Sequence, residues 1–217
     1  MHCQLITYSD PVPYTDALAL QYALADQCSR GEISDTLLLL EHPPTITLGR
    51  RTDDSDLKTS EAALKERGFA VERVDRGGEI TYHAPGQLVG YPILDLRRHG
   101  QDLHKYLRDL EEVLIETLGV FGLDGVRVPG RTGVWVGDAK IAAIGIKVSR
   151  WVSLHGFALN ISNNLAPFRE DFVPCGIVDK GVTSLREQLG AACPARAAVE
   201  AVVVQKFAEI FGVDLFC

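Results

Sequence analysis

No apolar stretch in this sequence is long enough to cross a bilayer. A run such as Leu37–Leu40 has the length of a strand, whereas a membrane-spanning helix needs about 20 residues. No basic segment followed by an apolar one stands near the start, and no arginine precedes Arg30, so neither a secretory signal nor a transit peptide is expected. Basic charge is scarce: 22 Lys and Arg against 29 Asp and Glu leave a net charge of -7. That balance argues against nonspecific nucleic-acid binding, which needs a basic face to neutralise phosphates. The five cysteines (Cys3, Cys28, Cys175, Cys193, Cys217) include no C-x-x-C pair, and the six histidines show neither H-x-x-x-H nor H-E-x-x-H spacing. Neither a disulfide framework nor a metal site is expected, and the cytoplasm is the natural home for such free thiols. A G-x-x-x-x-G-K-[ST] phosphate loop is also missing, as are a Ser/Gly-rich linker and an internal repeat, so one domain over residues 1–217 is expected.

Helical and strand-like stretches alternate through the chain. Thr15–Cys28 is alanine-rich with Leu18, Tyr22 and Ala25 at helical spacing, and Gly31 follows as a stop. Thr36–Glu41 and the short Thr45–Gly49 segment read as strands on either side of His42-Pro43-Pro44. Ser60 suits the cap of a short helix closed by Gly68, and Phe69–Val74 follows as a strand. Asp102 suits the cap of a long helix that carries Leu103, Tyr106, Leu107, Leu110, Val113, Leu114 and Phe121 on one stripe. Ser184 with Glu187 spells a capping box, and Pro194 opens a last helix with Val199, Val202, Val203, Phe207 and Ile210 on one face. Between the long helix and these last ones, Gly137-Asp138 is a two-residue hairpin signal between Val134–Val136 and Lys140–Val148, and Leu154–Ile161 supplies a further strand. Helices among hairpin-connected strands predict an α+β domain with a mixed, largely antiparallel sheet flanked by helices.

The stretch Arg76–Pro92, R-G-G-E-I-T-Y-H-A-P-G-Q-L-V-G-Y-P, uses residues that a plain core does not need. Two glycines behind an arginine allow a backbone to approach a bound group, and Tyr82 and His83 stand just before a Pro-Gly turn. Taken alone, the same residues also describe a hairpin corner. Cys175, in F-V-P-C-G-I, lies between a proline and a glycine, a setting suited to an acyl-thioester nucleophile. A thiol with a pKa near 8.5 is mostly protonated at neutral pH and needs a cation or base beside it. Lys140 heads an apolar strand and is either that partner, partly desolvated, or a solvated residue beside the hairpin turn. His83 and His155 are open to two readings, acid-base groups or hydrogen-bonded core residues.

Five segments together, E-H-P-P-T-I-T-L-G-R (41–50), the Arg76–Pro92 stretch, G-V-W-V-G-D-A-K-I-A-A-I-G-I-K (133–147), H-G-F-A-L-N-I (155–161) and P-C-G-I (174–177), resemble the lipoyl(octanoyl) transferases, which belong with the lipoate and biotin ligases. The resemblance spans most of the chain and implies the biotin/lipoate ligase-like fold. It implies that Cys175 carries an octanoyl group as a thioester and that Lys140 lowers its pKa or moves its proton. Substrate contacts are implied for Arg76, Gly77, Gly78, Glu79, Ile80, Thr81, Tyr82 and His83. They are likewise implied for Ala143, Ile144 and Gly145 and for Gly156, Phe157 and Ala158.

The implied donor is octanoyl-acyl carrier protein. The implied acceptors are lipoyl domains of 2-oxoacid dehydrogenase complexes and the glycine cleavage H protein, with no cofactor, metal, nucleic acid or membrane involved. Because a thioester is already activated, the protein need supply only a thiolate, a proton relay and a donor to the oxyanion, for which Gly176 N–H is the candidate. Acidic carrier proteins suggest a basic rim, for which Arg50-Arg51 and Arg97-Arg98 are the candidate pairs. One departure from the family pattern is Ala84, where glycine is usual; before a proline, alanine takes up extended geometry without strain, so the loop is expected to survive. Two rivals remain: an ATP-dependent lipoate ligase, which has no need of P-C-G-I, and a non-catalytic acyl-binding protein, which has no need to retain both Cys175 and Lys140.

Overall fold

In a computed structural model of the chain, residues 1–53, 56–172 and 181–216 are described. The elements run β1 (His2–Thr7), α1 (Tyr14–Ser29), β2 (Asp35–Leu40), β3 (Thr45–Leu48), α2 (Glu61–Glu66), β4 (Ala70–Arg73), β5 (Ile80–His83) and β6 (Gln87–Ile93). They continue as α3 (Leu103–Val120), β7 (Gly125–Val128), β8 (Arg131–Val136), β9 (Ala139–Ser149), β10 (Val152–Asn160), α4 (Ala166–Glu170), β11 (Gly181–Val182), α5 (Leu185–Leu189), α6 (Arg196–Phe211) and β12 (Asp214–Phe216).

The strands divide into two sheets rather than one. The larger has the order β12-β1-β2-β6-β10-β9-β8-β7, with β11 added beside β9, and the smaller is β4-β3-β5. In the larger sheet β12, β1 and β2 run parallel, and antiparallel pairing takes over from β2 to β7. The His42-Pro43-Pro44 corner separates β2 in one sheet from β3 in the other. Proline cannot donate to a ladder, so two in succession end the pairing of β2 and let the chain change sheets.

β2 is buried along its whole length because layers cover both faces of the large sheet. Leu37 and Leu39 pack with α3 and α6, while Leu38 and Leu40 pack with α1, as the two-residue period of a strand requires. A third cluster, with Leu64, Phe168 and Phe172, fills the space beneath the small sheet. Among the described residues no helix is long and apolar enough to cross a membrane.

Asp102 caps α3 by accepting from the backbone N–H groups of His104 and Lys105, and Ser60 and Ser184 cap α2 and α5 in the same way. The buried stripe of α6 is Val199, Val203, Phe207 and Phe211, a straight i, i+4 row. The buried face of α1 differs from the expected one: Ala17, Gln21, Leu24 and Cys28 turn inward and Tyr22 stays exposed. Gln21 selects that face, because its Oε1 accepts the backbone N–H of His155 on β10. On α3, Glu111 is buried off the apolar stripe. Arg108 and Arg127 neutralise it, and it accepts the backbone N–H of Gly133.

Candidate active site

The Arg76–Gly78 loop is stitched to β9, with Gly77 N–H donating to Ile146 C=O, and to the chain after β3, where Arg50 and Arg51 donate to Arg76 and Gly78 carbonyls. Arg76 is buried and donates through Nη2 to both oxygens of Thr47 and through Nη1 to Gly77 C=O. Glycine is required where the loop crosses Gly49 and Gly145. A Cβ on Gly49 would stand 2.4 Å from Gly78 O, and one on Gly145 would stand 2.9 Å from Gly77 O.

Under this loop lies a cavity. Arg76, Gly77, Gly78, Thr81, His83, Lys140, Ala143, Ile144, Gly145, Gly156, Phe157 and Ala158 line it. Ile80 and Tyr82 do not: alternation along β5 turns Thr81 and His83 to the cavity and sends Ile80 and Tyr82 into the core under the small sheet. Glu79 also lies off the lining, 3.9 Å from Arg51. Ala84 is buried in that same core and has no positive φ, so its Cβ fits without backbone strain.

Lys140 is 9% exposed, and its Nζ stands 5.0 Å from the ring centre of the fully buried Trp135. Its side chain occupies space that Gly133 leaves open: a Cβ there would meet Lys140 Cε at 2.6 Å, and Gly133 sits at φ 131. The Glu111 bond to Gly133 N–H therefore holds the floor on which the lysine rests. Beside Lys140 the first residues described after position 180 pair with this strand, Gly181 with Ala139 and Val182 with Lys140, and Thr183 N–H donates to Lys140 C=O. Cys175 and Gly176 lie outside the described residues.

The opposite wall holds residues the sequence patterns did not single out as ligand contacts: Tyr14, Tyr91 and His155. His42 packs behind them against Tyr14, His83 and Tyr91. Hydrogen bonds set the tautomers. The Val12 carbonyl can only accept, so His42 Nδ1 carries a proton and Nε2 accepts from Tyr91 O–H at 2.7 Å. Gln87 spends its amide hydrogens on Tyr82 C=O and Asn160 Oδ1, so its Oε1 accepts from His83 Nδ1 at 2.8 Å. His155 Nε2 donates to Asp75 and its Nδ1 accepts from Tyr14 O–H.

Burial holds these imidazoles neutral, pushing His42 and His155 down to about 4 and His83 well below its usual range. Although burial opposes its ionisation, Asp75 stays ionised, with a pKa near 2, through hydrogen bonds from Lys147, Tyr22 and His155. His155 also adopts φ 57 in the middle of a strand, a conformation that a non-glycine residue rarely keeps away from functional sites. No spacing rule could have found Tyr14, which comes from the first helix. His155 was visible only as a histidine followed by glycine. Among the described residues no group of three or more His, Cys, Asp or Glu side chains is placed to hold a metal ion.

A wider groove adjoins the cavity and shares Gly77, Gly78, Lys140, Ile144 and Gly145 with it. Arg50, Arg51 and Arg131 line it. Arg97 and Arg98 do not; they form ion pairs with Asp95 and with the buried Asp35.

Residues 13–208 match the family model described as lipoyl protein ligase A/B catalytic domain. An octanoyltransferase of Chloroflexus aurantiacus is 50% identical over 217 residues, covering 99% of this chain and 96% of that protein. Among solved structures, a lipoate-protein ligase A bound with ATP superposes with a TM-score of 0.76 at 17% identity, covering 100% of this chain and 90% of the other. The biotin protein ligase of Aquifex aeolicus follows with a TM-score of 0.54 at 13% identity, over 98% and 70% of the two chains. These two likenesses show the α+β lipoate/biotin ligase-like fold.

Proposed function

Because the chain belongs to the lipoyl protein ligase A/B catalytic domain family, we propose that residues 1–217 form one octanoyltransferase domain that acylates lipoyl domains in the cytoplasm. The reading is carried by half-identity to a curated octanoyltransferase across nearly the whole of both chains. Geometry supports it through a cavity whose Lys140 lies on the strand next to β11, the element that follows the Cys175 segment in sequence.

In the first step the Cys175 thiolate attacks the carbonyl carbon of octanoyl-acyl carrier protein. The new C–S bond forms, the bond to the phosphopantetheine sulfur breaks, and that thiol leaves with a proton. Lys140 takes the proton of Cys175 and returns it to the leaving thiol. A lysine held at a wall with little water can trade protons more readily than a solvated one. In the second step the acceptor lysine amine, on a lipoyl domain of a 2-oxoacid dehydrogenase complex or the glycine cleavage H protein, attacks the acyl-enzyme. An amide forms and the Cys175 thiol is restored. No ATP is consumed, since the thioester supplies the activation.

The octanoyl chain is assigned to the part of the cavity lined by Ala143, Ile144 and Phe157. Each buried methylene contributes roughly 0.8 kcal/mol, and a chain too long must overpack. Phe157 has its place because Gly90 has no side chain: a Cβ there would meet the ring at 2.2 Å.

Incubation with octanoyl-acyl carrier protein should add one octanoyl mass, mapping to Cys175, that a lipoyl domain then removes. Adenylate formation from octanoate and ATP would instead mark a ligase. Absence of any acyl adduct or product would leave an acyl-binding protein.

A further inference from the structure

The groove beside the acyl cavity is more basic than the rest of this acidic protein predicts. The chain carries a net charge of -7, yet Arg50, Arg51, Arg131 and Lys140 all face one concavity. Two separate parts of the chain build it: the Arg50-Arg51 pair follows β3, and Arg131 begins β8. The backbone of the pair is fixed, since Arg50 and Arg51 N–H groups donate to Arg76 and Gly78 of the loop that covers the acyl cavity. The arginines are therefore presented at a set offset from that cavity. The side chains of Arg50 and Arg51 remain open to solvent, Arg51 being 73% exposed and 3.9 Å from Glu79, while Arg131 is half-buried. Gly77, Gly78 and Gly130 keep the groove floor free of side chains, and Thr132 adds a hydroxyl.

A planar guanidinium matches the oxygens of a phosphate in a bidentate way, and several around one concavity suit an anion better than a neutral ligand. The acyl cavity and the groove are neighbours that share Gly77, Gly78, Lys140, Ile144 and Gly145 as lining. A donor that enters the cavity presents a thioester on a long arm, and an arm that ends in a phosphodiester places its charge outward from the reacting carbon. We propose that this groove binds the phosphate of the donor's pantetheine arm, so that the enzyme recognises the arm as well as the acyl chain. This rests on the octanoyl-transfer reading. It assigns donor recognition to Arg50, Arg51 and Arg131 and removes Arg97 and Arg98 from it.

The test compares free 4′-phosphopantetheine with pantetheine, which lacks only the phosphate, as competitors of transfer from octanoyl-acyl carrier protein to a lipoyl domain. The phosphorylated competitor should inhibit about tenfold or more strongly, the size expected of charge-assisted contacts. Its advantage should shrink with salt. In Arg50→Gln/Arg131→Gln, and separately in Arg51→Gln, the ratio of the two inhibition constants should fall toward one. The ratio is taken within one protein, so a smaller folded fraction does not alter it. Equal inhibition by both competitors in the unaltered protein, or a ratio that survives both variants, overturns the proposal. Calorimetry without an acyl donor measures the same ratio as binding. A preserved binding preference with no octanoyl transfer would overturn the octanoyltransferase reading alone. Tighter binding of ATP than of phosphopantetheine would reassign the groove to a nucleotide.

Discussion

The two walls of the cavity carry different titratable groups. On the β9 wall Lys140 lies over Trp135, in space that Gly133 keeps clear, next to the strand that follows the Cys175 segment in sequence. On the opposite wall His83 and His155, with His42 behind them, are tied to a glutamine, a carboxylate and a carbonyl, and burial keeps all three neutral. A histidine would be the usual guess for proton transfer near pH 7. Here desolvation moves the histidines out of that range, so they hold shape and orientation, which is why the proposed mechanism gives proton transfer to Lys140.

The largest expected effects belong to Cys175 and Lys140, the proposed reacting pair. Cys175→Ser should lose nearly all transfer, because an alcohol ionises far less readily than a thiol. Lys140→Ala should remain folded and slow acyl-enzyme formation by about 10²–10⁴-fold, the span of a lost acid-base group. Rapid-quench mass spectrometry should show the defect partly relieved as pH rises and the thiol ionises unaided. Lys140→Arg should rescue poorly, since guanidinium keeps the charge but does not release its proton. Wild-type transfer by Cys175→Ala would end the mechanism.

Gly133→Ala sharpens the same wall. Its Cβ would press on Lys140 Cε and on Ala142 O, both at 2.6 Å, at a φ that alanine resists. It should cost about 1–3 kcal/mol of stability, as overpacking does, and slow acylation without removing either reacting group. Denaturation and single-turnover acylation would check the two parts.

The histidine wall should reveal itself in acid. Unfolded imidazoles titrate near 6.5, while His42 and His155 in the folded protein wait until about 4 and burial holds His83 well below its ordinary value. Between those values the unfolded chain binds more protons, so stability is fully present above pH 6.5 and is lost as pH falls toward 4. Urea unfolding followed across that window should report an uptake approaching three protons, about one fewer in His42→Gln. A flat profile would mean that the wall is not desolvated.

The smallest effect belongs to Ala84→Gly, which restores the residue usual in the family. Because Ala84 already has an unstrained φ and packs in the small-sheet core, the change should cost about 0.5–1 kcal/mol and leave transfer within about twofold. A marked gain in activity would show that the loop needs the freedom of glycine after all.

The Arg76–Gly78, Lys140–Gly145 and Gly156–Ala158 motifs were marked by the family resemblance, and folding brings them to one cavity, whereas local patterns in the sequence were enough for the caps at Ser60, Asp102 and Ser184 and for the Gly137-Asp138 hairpin. Each depends on hydrogen bonds and side-chain periods within a few residues, which spacing records directly. Other features rest on partners far away in the chain, and only the tertiary structure decided them. Gln21 reached across 134 positions to His155 and chose which face of α1 is buried. The Pro43-Pro44 corner moved β3 into a second sheet, whose core then claimed Ile80 and Tyr82 from the middle of the most conspicuous motif. Arg131 joined Arg50 and Arg51 in one groove, while Asp35 and Asp95 drew Arg98 and Arg97 elsewhere. A motif shows that its residues matter together; which side of a strand each one faces, and which charge it meets there, depends on what the rest of the chain packs against it.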